Sequence, residues 1–259
     1  PLPPPPFNPE SRPGLAFRRD PRKDAAMPSM NDIYRRHRTE YDRLVAAEDS
    51  DRRLPAFLAS RFDWRAKTVL EGGIGTGRVT ALFIESVRRV IGCDREAHML
   101  EAARQRLAAH ADKLELRVAD NRALPRLPAP ADLFIEGWSW GHAVLEDPGP
   151  VEPVADALFA NLRPSLVPGA PVILIETLGT NARTPAAPHP RLAEFYRLLQ
   201  SRYGLRQTVL STDYRFDDAA EAADVLGFFF GPAMQRAVLA AGSATVPEWT
   251  GIWHGPLPP

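Results

Sequence analysis

The stretch TVLEGGIGTGR, residues 68–78, decides the fold of this chain. It begins with β-branched and apolar residues, as a buried strand does, and the strand ends in an acid, Glu71. Glycine then occupies positions Gly73, Gly75 and Gly77. Because glycine lacks a Cβ, these positions permit positive φ and let a ligand come close to the backbone. The stretch therefore predicts a strand followed by a tight loop that wraps around a ligand.

The spacing of the glycines limits which ligand this loop suits. A dinucleotide fingerprint requires G-x-G-x-x-G, and its third glycine would fall on position 78, which is Arg78. A phosphate-binding P-loop requires Gly-Lys followed by Ser or Thr, and residues 73–80 do not supply that ending. A glycine-rich turn that binds no ligand is the alternative interpretation.

The remaining pattern, Glu71-x-Gly73-x-Gly75-x-Gly77, resembles the first motif of the class I S-adenosylmethionine (SAM) dependent methyltransferases. In that family the loop curls under the methionine part of the cofactor, and the acid helps to hold it. The resemblance implies that SAM is the cofactor and that Gly72 belongs to the binding loop. It covers roughly residues 31–259, is strongest over 68–142, and is closest in type to bacterial small-molecule methyltransferases.

Strand and helix patterns alternate after this loop, as in a parallel sheet built from βα units. Helices are predicted over residues 96–109, from Pro190 onward, and from a capping-box pair, Asp218 and Glu221. Strands are predicted over residues 68–71, 89–94, 114–119, 131–136, 170–176, 208–216 and 246–253. With the resemblance, the pattern predicts an α/β fold: a Rossmann-like, doubly wound, mostly parallel sheet of seven strands, the last of them antiparallel.

Composition and charge argue against a protein that binds nucleic acid or membranes. Hydrophobic residues make up 44% of the chain, and 32 basic side chains balance 32 acidic ones. No overall field therefore attracts a polyanion or an anionic membrane. The single cysteine, Cys93, permits no internal disulfide, and no apolar run approaches the roughly 20 residues that span a bilayer. We expect a cytoplasmic protein that binds neither nucleic acid nor membrane, and we assign no metal ligands.

The N-terminal part differs from the rest. Residues 1–29 are rich in proline and are predicted to form a disordered tail, whereas residues 30–259 form the catalytic domain. Within that domain, residues 30–66 are predicted to form a helical cap over a core of residues 67–259. Tyr34 and Tyr41 are candidates for a lid over the cofactor or substrate, although packing is the simpler role for aromatic residues at helical spacing.

In an open α/β sheet the ligand lies across the carboxyl ends of the strands, so acids at those ends are candidate ligands. The second strand ends at Asp94, which can accept both hydroxyls of a ribose, in a dinucleotide as well as in SAM. The resemblance assigns Asp94 to the SAM ribose. It also identifies the segment from Arg95 as the helix that follows this acid, where Met99 can pack on adenine.

The third strand ends at Asp120 and Asn121, which resemble the family's third cofactor motif. A carboxylate accepts a hydrogen bond from the adenine amino group and a backbone amide donates to a ring nitrogen, so the pair distinguishes adenine from guanine. An Asx turn is the alternative role for Asp120.

The fourth strand continues into Glu136, Gly137, Trp138, Trp140 and His142. The resemblance places methyl transfer at this strand end, where the two indoles can flank the sulfonium, shape a substrate pocket or fill the core. Glu136 is expected to bind cofactor rather than catalyse. His142 is a candidate general base because an ordinary imidazole pKa is near 6.5, and a structural role is the alternative.

Together these features predict a SAM-dependent methyltransferase that acts on a small-molecule acceptor by in-line displacement. The tetrad Asn-Pro-Pro-Tyr, used by the superfamily's enzymes that methylate adenine or glutamine amides, does not follow the fourth strand. An NAD(P)-binding oxidoreductase and a non-catalytic SAM-binding protein are the alternatives. The acceptor itself and the oligomeric state are not predicted.

Overall fold

A computed structural model describes residues 38–258, with side chains from Glu40 onward. Tyr34 and the predicted tail over residues 1–29 lie outside the described residues, as does part of the predicted cap. Within the described part of the chain, no helix has the length and apolar character needed to cross a bilayer.

The core of the molecule is a seven-stranded sheet in the order β3-β2-β1-β4-β5-β9-β6. Its pairings are parallel except for those of β9, which runs antiparallel to both neighbours. The strands are β1 (Thr68–Gly72), β2 (Arg89–Asp94), β3 (Leu114–Val118), β4 (Leu133–Gly137), β5 (Pro171–Thr180), β6 (Arg206–Ser211) and β9 (Glu248–Pro256). The predicted Rossmann-like sheet with an antiparallel last strand is therefore confirmed.

Helices cover both faces of this sheet, which is why β1 is buried at all five of its residues. Val69 packs into the core on one face, whereas its neighbour Leu70 packs into the core on the other. The helices are α1 (Arg38–Ala47), α2 (Arg53–Arg61), α3 (Ala97–Arg106), α4 (Trp140–Glu146), α5 (Val151–Leu162), α6 (Pro190–Ser201), α7 (Ala219–Phe230) and α8 (Pro232–Ala241).

Local sequence signals correctly predict where two of the helices begin. Pro190 opens α6, and the predicted inner face of Leu192, Phe195, Tyr196 and Leu199 is buried. The Asp218 side chain accepts from the backbone N–H groups of Ala220 and Glu221 at the start of α7. The Glu221 carboxylate, however, accepts from the backbone of Asp217 rather than from that of Asp218, so the capping box is shifted by one residue.

The strand predicted over residues 208–216 is two strands. After β6 the chain turns at Asp213, whose carboxylate accepts from the Ser211 hydroxyl and from the Glu248 backbone. The next strand, β7 (Tyr214–Arg215), leaves the main sheet and pairs with β8 (Thr245–Val246) in a small sheet of its own. The closing strand accordingly begins at Glu248, not at residue 246.

A third hydrophobic cluster builds the cap over the carboxyl edge of the sheet. It joins Leu44 of α1 to Tyr214 of β7, Phe229 of α7 and Val238 of α8. The cap was predicted from the N-terminal segment alone. In the structure, elements more than 160 residues further along the chain complete it.

Candidate active site

A cavity of about 780 Å³ lies at the carboxyl ends of the parallel strands. Its wall follows the order of the strands, from Asp120 after β3 and Asp94 of β2 to Gly73 after β1, Trp138 after β4 and Thr177 of β5. The strand order reverses between β1 and β4, which is where α/β sheets bind their ligands. The topology therefore makes this cavity the ligand site.

Most of the residues predicted from the sequence meet in this wall. They are Tyr41, Glu71, Gly73, Gly75, Asp94, Arg95, Met99, Asp120, Asn121, Gly137, Trp138 and His142. The structure does not bring Gly72, Gly77, Glu136 or Trp140 to the cavity surface.

The glycine loop has the conformation that its spacing predicts. Gly73, Gly75 and Gly77 have φ values of +62°, +56° and +76°, a region that disfavours residues with a Cβ. A Cβ on Gly77 would lie 2.8 Å from Cδ1 of Leu107. Gly77 therefore allows the loop to pack against the chain after α3, and it supports the cavity from behind.

Glu136 and Trp140 differ from the expected roles because α4 starts directly after β4. The buried Glu136 carboxylate accepts from the Ser139 backbone at 2.9 Å, the Ser139 hydroxyl at 2.8 Å and the Trp140 backbone at 3.1 Å. Trp140 is fully buried between Phe134 and Phe159, at ring-centroid distances of 5.4 and 5.1 Å. Glu136 thus fixes the turn, and Trp140 fills the core and does not shape a substrate pocket.

The carboxylate of Asp94 is fixed in a position that suits a ribose. Its Oδ2 accepts from the Gly75 N–H and its Oδ1 from the Glu96 N–H, both at 2.9 Å. Each carboxylate oxygen can accept more than one hydrogen bond, so both remain able to accept from a vicinal diol. Partial burial raises the pKa of Asp94 above its ordinary value, although these two N–H groups oppose the shift.

The end of the cavity beside β3 carries paired charges and one unsatisfied acceptor. Arg122 donates to both oxygens of Asp120 at 2.9 Å, which lowers the pKa of that carboxyl. The amide nitrogen of Asn121 donates to the Ser139 hydroxyl at 3.2 Å. Its buried Oδ1 has no partner among the described residues. This end therefore offers acceptors to a ligand that carries donors, as an adenine amino group does.

Glu71 lies deeper in the wall and is almost completely buried. Its carboxyl accepts from the Thr80 hydroxyl at 2.5 Å, and burial raises its pKa to about 8 despite that hydrogen bond. A cationic group bound next to Glu71 would favour the charged form of the carboxyl. The residue is thus suited to the ammonium group of a methionine moiety.

His142 lies at the exposed mouth of the cavity, on α4. The charged groups that act on it are Glu146 and Arg95, which pair with each other at 2.6 and 2.7 Å. Desolvation by the surrounding wall lowers the pKa of His142 below its ordinary value. The imidazole therefore belongs to the charged group at the end of the cavity beside β3.

The sequence-based prediction missed the part of the cavity that lies under the cap. Its lining residues include Leu44, Glu48, Thr177, Thr180, Tyr214, Phe230, Met234 and Glu248. Arg78, which replaces the third glycine of a dinucleotide motif, connects this part to the loop. Its guanidinium pairs with Glu48 at 2.9 Å and lies 3.7 Å from the ring centroid of Trp138.

Known proteins share this architecture. Residues 69–165 match the family model described as a methyltransferase domain. An uncharacterized methyltransferase from Geobacillus kaustophilus (strain HTA426) is 25% identical over 151 residues, which are 56% of this chain and 66% of that protein. The solved structure of the YcgJ protein from Bacillus subtilis matches with a TM-score of 0.56 at 11% identity, covering 79% of this chain and 98% of that one. A protein from Bacillus halodurans C-125 matches with a TM-score of 0.53 at 12% identity, covering 79% and 99% of the two chains.

Residues 69–165 therefore match a methyltransferase domain within a Rossmann-like fold, which supports a class I SAM-dependent methyltransferase with SAM as its cofactor. The predicted family, fold and cofactor are confirmed. The residues of the cavity fit SAM: the positive-φ glycines leave room beside the backbone, the Asp94 carboxylate lines the cavity with acceptor capacity to spare, and Asn121 keeps a free acceptor.

Proposed function

We propose that this domain transfers the methyl group of SAM to a small-molecule acceptor held under the cap. The observation that carries the proposal is the length of the cavity, which continues from the cofactor end at β3 and β2 to Glu248 at β9. Neighbouring strands lie about 4.8 Å apart, so β2 and β9 are separated by about 19 Å. That span accommodates a cofactor and a second molecule side by side.

The reaction that suits this arrangement is an in-line displacement. Bound SAM supplies an activated methyl group, so the protein mainly has to align the acceptor and exclude water. The cofactor part of the wall (Gly73, Gly75, Asp94, Met99 and Asn121) would hold one reactant. Leu44, Phe230 and Met234 of the cap would position the other and shield it from solvent.

The charges of the acceptor end favour a small molecule over a nucleic acid. Glu48 and Glu248 face the cavity there, and Arg78 is already paired with Glu48. Proteins that bind nucleic acids direct unpaired Lys and Arg side chains toward the phosphates. A polyanionic acceptor would instead bring its charge toward Glu248.

The segment that follows the glycine loop argues against the oxidoreductase alternative. A dinucleotide-binding domain places its pyrophosphate at the N-terminus of the helix after the first strand. The structure describes every residue between β1 and β2. Over this segment the chain forms only a short 3₁₀ turn, at Thr80–Leu82. That turn offers no helix N-terminus of the kind a pyrophosphate needs.

Calorimetric titration of the protein with SAM, S-adenosylhomocysteine and NAD tests the cofactor. We expect binding of both adenosyl compounds, weakened in an Asp94→Ala variant, and tight NAD binding would contradict the proposal.

Labelled SAM incubated with pooled metabolites tests catalysis. Label transfer to a compound of low molecular mass is expected, whereas SAM binding without transfer to any pool would favour the non-catalytic alternative.

A further inference from the structure

One buried carboxyl in the acceptor end of the cavity is left with an unused oxygen. Glu248 is only 2% exposed and lines the cavity. Its Oε1 accepts from the Thr177 hydroxyl at 3.0 Å, and its Oε2 has no hydrogen-bond partner within residues 38–258. Because a buried carboxyl oxygen is costly to leave unpaired, this atom indicates a ligand that donates a hydrogen bond.

The fold holds Glu248 rigidly at this place. Strand β9 runs antiparallel, so its first residue lies at the edge of the sheet where the parallel strands end. The backbone N–H of Glu248 donates to Asp213 at 3.1 Å, and its carbonyl accepts from Thr212 at 2.8 Å. Opposite it, the register of β5 shifts between Thr177 and Thr180. Such bulges re-aim side chains next to active sites.

The groups around Glu248 compensate its charge only in part. Arg78 is the nearby cation, but it pairs with Glu48, and burial, followed by the charges of both acids, raises the pKa of Tyr214. Burial, followed by the charge of Glu48, raises the pKa of Glu248 to about 8. The hydroxyls of Thr180 and Thr177 and the charge of Arg78 oppose that shift. The other walls are apolar, formed by Leu44, Pro188, Phe230 and Met234.

We propose that Glu248 binds the methyl acceptor through the N–H or O–H group that becomes methylated, and that its carboxylate takes the proton this group releases. The acceptor is then an amine or hydroxyl compound on an apolar frame, and not a carboxylate or a phosphate. This inference rests on the proposed methyl transfer and adds to it the class of acceptor and the identity of the base.

The step balances as follows for an amine or a hydroxyl compound. A lone pair on the acceptor nitrogen or oxygen forms the new bond to the methyl carbon. The electrons of the breaking carbon–sulfur bond stay on sulfur, which becomes a neutral thioether. The proton of the acceptor passes to Oε2 of Glu248 and then to water, so that the carboxylate is restored for the next turnover.

The experiment uses the full chain and three sets of aryl compounds of similar size: arylalkylamines, phenols and arylcarboxylates. Formation of S-adenosylhomocysteine from SAM measures turnover for each compound. The wild-type protein is expected to methylate members of the first two sets only. Its kcat/KM should rise with pH toward about 8, because the charged form of Glu248 is the one that accepts a proton.

The decisive variant is Glu248→Gln, which keeps the shape of the side chain and removes its basicity. Its kcat/KM should fall about 100-fold or more and lose the rise with pH, while SAM affinity stays within about twofold, since Glu248 lies outside the cofactor part of the wall. Thr177→Val, which releases Oε1, should lower kcat/KM about tenfold. Glu85→Gln, an exposed acid outside the cavity, is the matched control.

Each outcome bears on the proposal. Unchanged SAM affinity with loss of turnover in Glu248→Gln supports it and shows that the variant is folded. Turnover of arylcarboxylates, wild-type kinetics in Glu248→Gln, or SAM binding without turnover of any amine or phenol overturns it and leaves the cofactor assignment intact. Failure of the wild-type protein to bind SAM would instead overturn the proposed function, and this inference with it.

Discussion

At the scale of single residues, Asp94 connects the conformation of the loop to the binding of cofactor. Its two oxygens already accept from the N–H groups of Gly75 and Glu96, and we propose that the same oxygens accept from the ribose hydroxyls. A hydrogen bond to a charged group contributes about 1.5–3 kcal/mol. The carboxylate is therefore expected to be the strongest polar anchor of the cofactor.

Asp94→Asn is predicted to weaken the binding of SAM and S-adenosylhomocysteine equally, by about 10- to 100-fold. The two compounds share the ribose, and the amide nitrogen of Asn cannot accept from Gly75 or Glu96. Isothermal titration measures both affinities, with Asp112→Asn on an exposed 3₁₀ helix as control. A loss confined to SAM would show that Asp94 acts on the charged sulfonium, which S-adenosylhomocysteine lacks, and not on the ribose.

Adding a Cβ to a glycine with positive φ can cost backbone strain and a steric clash, and two glycines of this chain allow the two costs to be measured separately. Gly77 has φ +76° and close contact with Leu107, whereas Gly204 has φ +69° and no atom within 4 Å of the position that a Cβ would take. Gly204→Ala should therefore cost about 1–2 kcal/mol of unfolding free energy for the backbone alone. Gly77→Ala should cost more, because Leu107 is buried and cannot move freely. Urea unfolding compares them, and equal losses would contradict the packing role of Gly77.

At the scale of elements, Arg78 joins the cap to the glycine loop. Its pair with Glu48 is sheltered, since only 21% of the Arg78 side chain and 9% of the Glu48 side chain are exposed. The guanidinium also covers one face of Trp138. The residue that breaks the dinucleotide fingerprint is thus the one that attaches α1 to the site.

A double-mutant cycle with Arg78→Met and Glu48→Gln measures this attachment. We predict a coupling of about 1–3 kcal/mol in unfolding free energy, above the 0.2–1 kcal/mol or so of an exposed ion pair. The pair Arg65 and Asp63, which is 89% and 66% exposed, provides the reference cycle. Similar coupling in both cycles would mean that Arg78 does not hold the cap.

The elements that the sequence predicted well are those whose signal is local. Strands β1, β2, β4 and β5 follow from apolar runs, and β3 follows from alternating apolar and charged residues. The cofactor end follows from acids and glycines at the strand ends. The acceptor end could not be found in this way because Leu44, Tyr214, Phe230 and Glu248 come from four distant segments. Trp140 illustrates the same limit: only the start of α4 after β4 decides whether it faces the cavity or the core.

At the scale of the whole molecule, the fold concentrates buried acids at one edge of the sheet. Burial raises the pKa of Glu71 to about 8, of Glu136 to about 7 and of Glu248 to about 8. The folded chain therefore keeps protons at pH values where the unfolded chain has released them. The buried acids thus reduce the stability of the ligand-free protein near neutral pH.

The free energy of unfolding should consequently fall as pH rises from about 4.5, the ordinary glutamate value, to about 8, because over this range the folded state binds more protons than the unfolded state. His142 and His254, whose pKa values are lowered, act in the opposite direction, but only below about pH 6.5, where unfolded imidazoles titrate. The clearest decline is therefore expected between about pH 6.5 and 8. The Glu71→Gln variant keeps a hydrogen-bond acceptor for Thr80 but cannot titrate. Its free energy of unfolding should therefore change less between about pH 6.5 and 8, and should increase relative to that of the wild type as pH rises. Urea unfolding at several pH values, with Glu85→Gln as control, measures the difference, and curves that stay parallel would show that Glu71 is already charged in the folded protein.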